Sequence, residues 1–346
     1  MKKFFPYIVV IIVLAVAVVW FIKNQSKGTI NEREGNFAVK DKNEISKVIL
    51  TETDKQPIEI SSANGMWMVN GKYAAREDMI ESLLTVATRV TSLCPVPAAA
   101  HDNVIRELMT HHVRVEFFDK NNATIKSYWV GGPTTDGQNT YMLLENEGQP
   151  ASRPHLTYIP GFKGFLTPRY NAEEETWRTR AVFNYTEAEI KSLQVEYSND
   201  EKKSFAISKN LDDSFTVSPI NEKFRINDSY QQKYICQYLG FYSSIYLEAF
   251  ANDLPNRDSI IKTTPYCTIT ITETDSTINT VKLFRMPVNK RSKMQFDANG
   301  NPMAYDIDHF FASLHQDKDL ALVQYYTFGT LLRDYKDFFF KPTATK

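Results

Sequence analysis

Glu44-Ile45-Ser46-Lys47-Val48-Ile49-Leu50 is echoed by Glu189-Ile190-Lys191-Ser192-Leu193-Gln194-Val195, 145 residues further on. Both strings open on an acid and an isoleucine and then mix apolar and polar side chains, as a strand with one face in a core does. The echo continues in order. Ser62-Ala63-Asn64-Gly65-Met66-Trp67-Met68-Val69 matches Asn210-Leu211-Asp212-Asp213-Ser214-Phe215-Thr216-Val217. A hairpin follows in each half: residues 113–117 turn at 119–122 into 125–130, and residues 268–271 turn at 273–277 into 278–283. Residues 158–166 align with 305–314. Four matches in register, with drifts confined to turns, predict a duplicated unit.

Outward from the strands, each half carries one helical pattern. Met79, Ile80, Leu83, Leu84, Ala87, Val90 and Leu93 share a face of a helix opened at Arg76 or Asp78 and stopped by Cys94-Pro95-Val96-Pro97. Asp228-Ser229 caps its counterpart, whose stripe is Tyr230, Tyr234, Ile235, Tyr238, Leu239, Tyr242, Ile245 and Tyr246. Residues 306–315 and 318–337 read as helices sealing the second sheet. The expected fold is therefore α+β: two tandem, internally repeated units, each a mainly antiparallel sheet with one long helix packed on it, behind an N-terminal transmembrane helix. The first unit is placed at 36–170, a connector at 171–188, and the second unit with its C-terminal helices at 189–346.

The transmembrane reading comes from residues 4–22, which run uncharged behind Lys2-Lys3. At about 1.5 Å per residue this stretch reaches about 28 Å, close to a hydrocarbon core of about 30 Å. No small-residue cleavage site follows Trp20-Phe21-Ile22-Lys23, and the first cysteine is Cys94, which leaves a lipid no acceptor near the membrane. Residues 1–23 are thus expected to be an uncleaved signal anchor and 24–35 a tether. The flanking charges favour an N-terminus inside the cytoplasmic (inner) membrane and an ectodomain in the periplasm.

Composition narrows the function classes. The 346 residues are 42% hydrophobic and hold 40 bases against 41 acids, which excludes a disordered chain, a collagen-like chain and a polyanion binder, so no nucleic-acid partner is expected. Three cysteines are an odd number, so a disulfide-stapled scaffold is excluded, while Cys236 and Cys267 remain either a bridge or two separate thiols.

Motifs for chemistry are weak. Adjacent His111-His112 on a strand point to opposite faces and cannot chelate together, so they read as a solvated pair at a helix end. Asp297-Ala298-Asn299-Gly300-Asn301 imitates a calcium loop, but Pro302 stands where glycine is required. Asp306, Asp308 and His309 fit the acidic first turn of a helix. Gly131-Gly132-Pro133-Thr134-Thr135-Asp136-Gly137 lacks the lysine of a phosphate loop and reads as a hairpin loop. No catalytic, cofactor-binding or metal residue is assigned, and no cofactor is expected. The densest aromatic and arginine region is 162–180, where Arg169, Tyr170, Trp177, Arg178 and Arg180 surround Glu173-Glu174-Glu175. These five residues are the candidate partner-binding surface. The other reading has Trp177 plugging the joint between the halves while the arginines pair with the acids.

Several strings together resemble a known family: Asn36-Phe37-Ala38-Val39-Lys40-Asp41, Trp67-Met68-Val69-Asn70-Gly71-Lys72-Tyr73, Pro95-Val96-Pro97, Tyr128-Trp129-Val130-Gly131-Gly132-Pro133, the run from Ile159 to Tyr170, and Trp177-Arg178-Thr179-Arg180-Ala181-Val182-Phe183. The chain resembles the bacterial domain-of-unknown-function family numbered 4340, in its Bacteroidetes-type envelope version. The resemblance implies a membrane-tethered envelope protein of repeated α+β units, associated with ABC-type transport complexes of the gliding-machinery kind, and no catalytic residues. The leading expectation is a non-enzymatic, membrane-anchored scaffold or accessory subunit, with the inner membrane and a transmembrane ABC-type transporter subunit as partners. An extracytoplasmic glycan- or peptide-binding module is the alternative, and a hydrolase the third.

Overall fold

The computed structural model describes residues 35–63 and 65–339, which divide into two units between Thr179 and Arg180. The first unit runs β1 (Lys47–Glu52), β2 (Ile58–Ala63), β3 (Met66–Val69), β4 (Tyr73–Ala74), helix α1 (Glu77–Arg89), β5 (Thr91–Pro95) and helix α2 (Ala98–Thr110). It continues with β6 (Val113–Phe118), β7 (Thr124–Pro133), β8 (Thr140–Asn146), β9 (Gln149–Pro150), β10 (His155–Tyr158) and the single turn α3 (Glu174–Trp177). The sheet is antiparallel with order β4-β3-β2-β1-β6-β7-β8-β10-β5, and β9 pairs with β8 off this path.

Side-chain alternation puts a helix on each face of this sheet. Tyr128, Val130, Met142 and Leu144 point into a core closed by Ile80, Leu83, Val86 and Ala87 of α1. Their neighbours Trp129 and Leu143 point the other way, where Val104 and Leu108 of α2 cover them. Successive residues of a strand face opposite sides, so β7 and β8 serve both layers.

The second unit runs β11 (Ala181–Phe183), β12 (Ile190–Tyr197), β13 (Phe205–Lys209), β14 (Phe215–Pro219), helix α4 (Gln232–Gly240), β15 (Ile245–Tyr246), β16 (Ala249–Phe250) and α5 (Arg257–Ile261). Then come β17 (Cys267–Glu273), β18 (Ile278–Pro287), β19 (Tyr305–Leu314), β20 (Asp319–Gln324) and α6 (Tyr325–Phe328). Its main sheet has order β14-β13-β12-β17-β18-β19-β20-β16, which follows the first sheet strand for strand from β3 to β5. Val48 lies between Ile60 and Phe117, and Leu193 between Ile207 and Ile271. The matched strings thus occupy the same place in each sheet.

Four expectations are corrected. The described chain is mostly antiparallel sheet, 38% strand against 23% helix, and its helices are short, so the reading of one long helix per unit does not stand. The first helix stops at Arg89; Val90 turns extended (ψ 129°), and Thr91–Pro95 becomes an edge strand. The tyrosine stripe likewise breaks at Gly240, and Ile245–Tyr246 pairs with β11. In the first unit the chain after the helix becomes the far edge strand β5, and in the second it passes through β15, which pairs with β11, before β16 takes the far edge.

Second, the C-terminal helices at 306–315 and 318–337 are not there. Phe310, Ala312 and Leu314 alternate into the core of β19, and β20 returns through a turn in which His315, Gln316 and Asp317 are all left-handed (φ 52°, 58° and 66°). Only the short turns Tyr325–Phe328 and Tyr335–Phe338 are helical in this stretch. Third, the alignment of 158–166 with 305–314 fails, because β19 occupies the place of β8, and β20 that of β10. Fourth, the single-pass membrane reading is corrected to what the described residues show: among them no helix is long and apolar enough to cross a membrane. Residues 4–22, on which the signal anchor, the inner-membrane location and the periplasmic ectodomain were placed, lie outside the described residues. The cysteines are free thiols, with Cys94 exposed and Cys267 buried.

Candidate functional site

The expected connector is not a free linker. Its first part is stitched onto β4: Thr179 N donates to Ala74 O and Arg76 N to Trp177 O, both at 2.8 Å, beside an antiparallel bridge between Ala75 and Arg178. Its second part joins the other unit, where β11 pairs with β15 and Leu247 N donates to Arg180 O.

This stitching settles the places of the five candidate residues. Trp177 is 0% exposed within the first unit's own core, and its indole N–H donates to Asn171 O at 2.7 Å. Tyr170 is buried with it, its hydroxyl 2.9 Å from that of Tyr128. Burial pushes both phenols above their ordinary pKa. Arg178 is buried too, with its guanidinium 3.5 Å from the Tyr73 ring centroid and 3.5 Å from the Glu174 carboxylate. Arg169 is half-buried, donating to Ser82 at 2.8 Å and lying over Phe162, and Arg180 is exposed. Rings and a stacked guanidinium fill the core edge, so Tyr170, Trp177 and Arg178 present no surface to a partner.

Of the histidine pair, His111 is exposed at the end of α2, as expected, while His112 is half-buried. His112 stacks on Trp129 with centroids 4.2 Å apart and 19° between planes, and burial pushes its pKa down. The Trp129 indole donates to Glu145 at 2.9 Å, and Arg114 spans Glu145 and Glu116, each at 2.8 Å. Arg114 holds the Glu145 carboxyl below its ordinary range, whereas burial pushes Glu116 up. Charges satisfied by one another in this way brace the sheet face.

In the second unit, Asp297 closes a turn by accepting from Asn299 N and Asn301 N, both at 2.8 Å. Asp306 accepts from Asp308 N (2.7 Å) and His309 N (3.0 Å) at the start of β19, not in a helix. The His309 ring bridges Asp306 and Glu248 through opposite nitrogens, each at 3.3 Å, a geometry that places no ion between the three. Among the described residues no group of three such side chains is arranged to hold a metal.

Residues 288–304 form a second, irregular hairpin between β18 and β19. Met303 N donates to Gln295 O, Asp297 N to Asn301 O, and Phe296 bridges Pro302. Lys290, Arg291 and Lys293 are exposed on this arm, with no carboxylate partner among the described residues. Met294 and Phe296 stand beside them, 44% and 55% exposed. The sequence reading took from this arm only the turn at 297–301 and passed over Lys290-Arg291-Ser292-Lys293-Met294-Gln295-Phe296, which already shows cations next to large apolar groups. Elsewhere in this unit a cleft of about 720 Å³ is lined by Tyr185, Glu273, Asn279, Thr280, His315 and Lys318, with Asn279 donating to the Tyr185 hydroxyl at 3.1 Å.

Compared with known proteins, the chain matches no family model, and no curated protein or solved structure shows significant similarity to it.

Proposed function

We propose that the protein is a non-catalytic scaffold or accessory subunit that docks a protein partner through the 288–304 arm of its second unit. One observation carries the reading: Lys290, Arg291 and Lys293 stand without acid partners beside exposed Met294 and Phe296. Large apolar groups on a projecting hairpin add nothing to either core, while exposed aromatics with cations suit the centre and rim of an interface. The charges specify the partner surface, an apolar pocket ringed by carboxylates. That this partner belongs to an ABC-type transport complex rests on the family resemblance alone. A glycan- or peptide-binding module is the second reading, favoured by the polar cleft around Tyr185 and Asn279.

The test is co-purification of the tagged full-length chain with mass-spectrometric identification, comparing wild type with M294A/F296A and K290E/R291E/K293E. The expected result is one stoichiometric protein partner with an acidic surface, lost in both variants while their melting temperatures stay at the wild-type value. Undiminished recovery of the partner by both variants defeats the reading, as does retention of nucleic acid or anionic vesicles by the arm in the partner's place.

A further inference from the structure

At the root of the same arm lies a pocket of about 300 Å³, at the small end of the range for ligand sites. Arg285 of β18 lines its rim, exposed to solvent as Tyr305 is. Its guanidinium carbon is 4.5 Å from the Tyr266 ring centroid and 5.3 Å from that of Tyr305. The register explains the pairing: Arg285 lies opposite Phe310, whose ring stacks on Tyr266 at 5.8 Å, and Tyr305 lies opposite Pro287, two residues beyond Arg285.

Arg285 has no carboxylate partner among the described residues, although it is set between two rings. A guanidinium held against aromatic faces keeps its in-plane N–H fork for another acceptor. The rest of the wall mixes apolar groups, Ile260, Phe284 and Phe311, with the neutral polar side chains Asn199 and Thr264, and carries no other charge. One orienting cation beside aromatic rings in a pocket with no other charge matches an acid with an apolar body, because the fork fits a carboxylate bidentately and the rings fit the remainder.

We infer that Arg285, Tyr266 and Tyr305 form a binding site for a small carboxylate with an apolar or aromatic body. This goes beyond the docking reading and needs no partner protein. Benzoate is the probe, titrated into the full chain by calorimetry and followed by the Arg285 side-chain N–H resonance, with acetate and inorganic phosphate in parallel. Benzoate is expected to saturate one site, and acetate to bind more weakly for want of a ring. Arg285→Lys keeps the charge and loses the fork, and should weaken benzoate at least about tenfold. Tyr305→Ala should weaken it severalfold, and Arg106→Gln, on the exposed face of α2, should leave it unchanged. The inference is overturned by any of three results: no saturable benzoate binding, equal binding by Arg285→Lys and Arg285→Gln chains that melt like wild type, or phosphate competing as well as benzoate.

Discussion

Trp177 shows how far a side chain's role departs from its composition. An indole next to two arginines and three glutamates has the make-up of an interface hot spot, yet it is wholly buried and spends its N–H on Asn171 O. Trp177→Ala removes the largest side chain from the first unit's core and should cost about 3–5 kcal/mol. At roughly 2–4 °C per kcal/mol for a unit of this size, the calorimetric melting temperature of that unit should fall by about 10 °C. An unchanged melt would return Trp177 to the surface.

His112 makes a pH-dependent prediction. Its folded pKa lies below the ordinary 6.5 because burial against Trp129 disfavours the imidazolium, with Arg114 adding to the effect and Glu145 opposing it. The unfolded chain therefore binds the proton more readily, and as pH falls through 6.5 protonation draws the chain toward unfolding. Stability should decline below that pH, and His112→Phe should flatten this part of the denaturant-midpoint profile. An identical slope in wild type and variant would place the proton uptake elsewhere. Nothing in the string His111-His112 shows this, since the stacking partner lies on β7.

At the scale of elements, two contacts hold pieces that periodicity alone does not locate. Helix α2 sits so close to β7 that a Cβ at Gly131 would lie 2.5 Å from Leu108 Cδ2 and 3.2 Å from Tyr141 O. Gly131→Ala should therefore cost about 1–3 kcal/mol by overpacking, read as a lowered urea midpoint with the m-value unchanged. The edge strand β14 is capped by one side chain: Gln232 Oε1 accepts from Phe215 N at 3.0 Å, and its Nε2 donates to Phe215 O. This amide takes the place of a neighbouring strand and blunts an otherwise open edge. Gln232→Ala should cost about 1–3 kcal/mol for the backbone groups it strips and should raise light scattering on refolding. Helix α2 escaped the sequence reading because Ala98-Ala99-Ala100-His101-Asp102 offers no stripe, and only Val104 and Leu108 are buried from it.

At the scale of the whole molecule, each unit has its own core, with Trp177 the last core residue of one and Val182 the first of the other. Residues 36–179 and 180–346, expressed separately, should each show β-sheet circular dichroism and a cooperative melt. A fragment that stays unfolded alone would mean that its core does not suffice. Cutting instead at 170, as the sequence boundary would have it, removes Trp177 and the strand-like segment beside β4, and should leave the first fragment unstable.

The strands were legible because their signal is local. The pleat sends alternate side chains to opposite faces, so Glu44–Leu50 and Glu189–Val195 carry their register within seven residues, and duplication lets each string check the other. The same alternation lies in Phe310, Ala312 and Leu314, but a cluster of acids ahead of them imitates a helix start, and only pairing with β18 and β20 decides for the strand. Where the chain goes between strands is a tertiary matter. Both crossovers end in the strand at the far edge of the main sheet, β5 in one unit and β16 in the other, and a helical stripe read from one segment says nothing about that pairing. Whether an aromatic or an arginine is core, brace or binding group follows from neighbours far along the chain. Trp177 is buried by its own unit, Arg114 is saturated by Glu145, and Arg285 is held by two rings and left without a carboxylate among the described residues. Composition is the same in kind at all three places; burial and pairing, which only the folded chain supplies, set them apart.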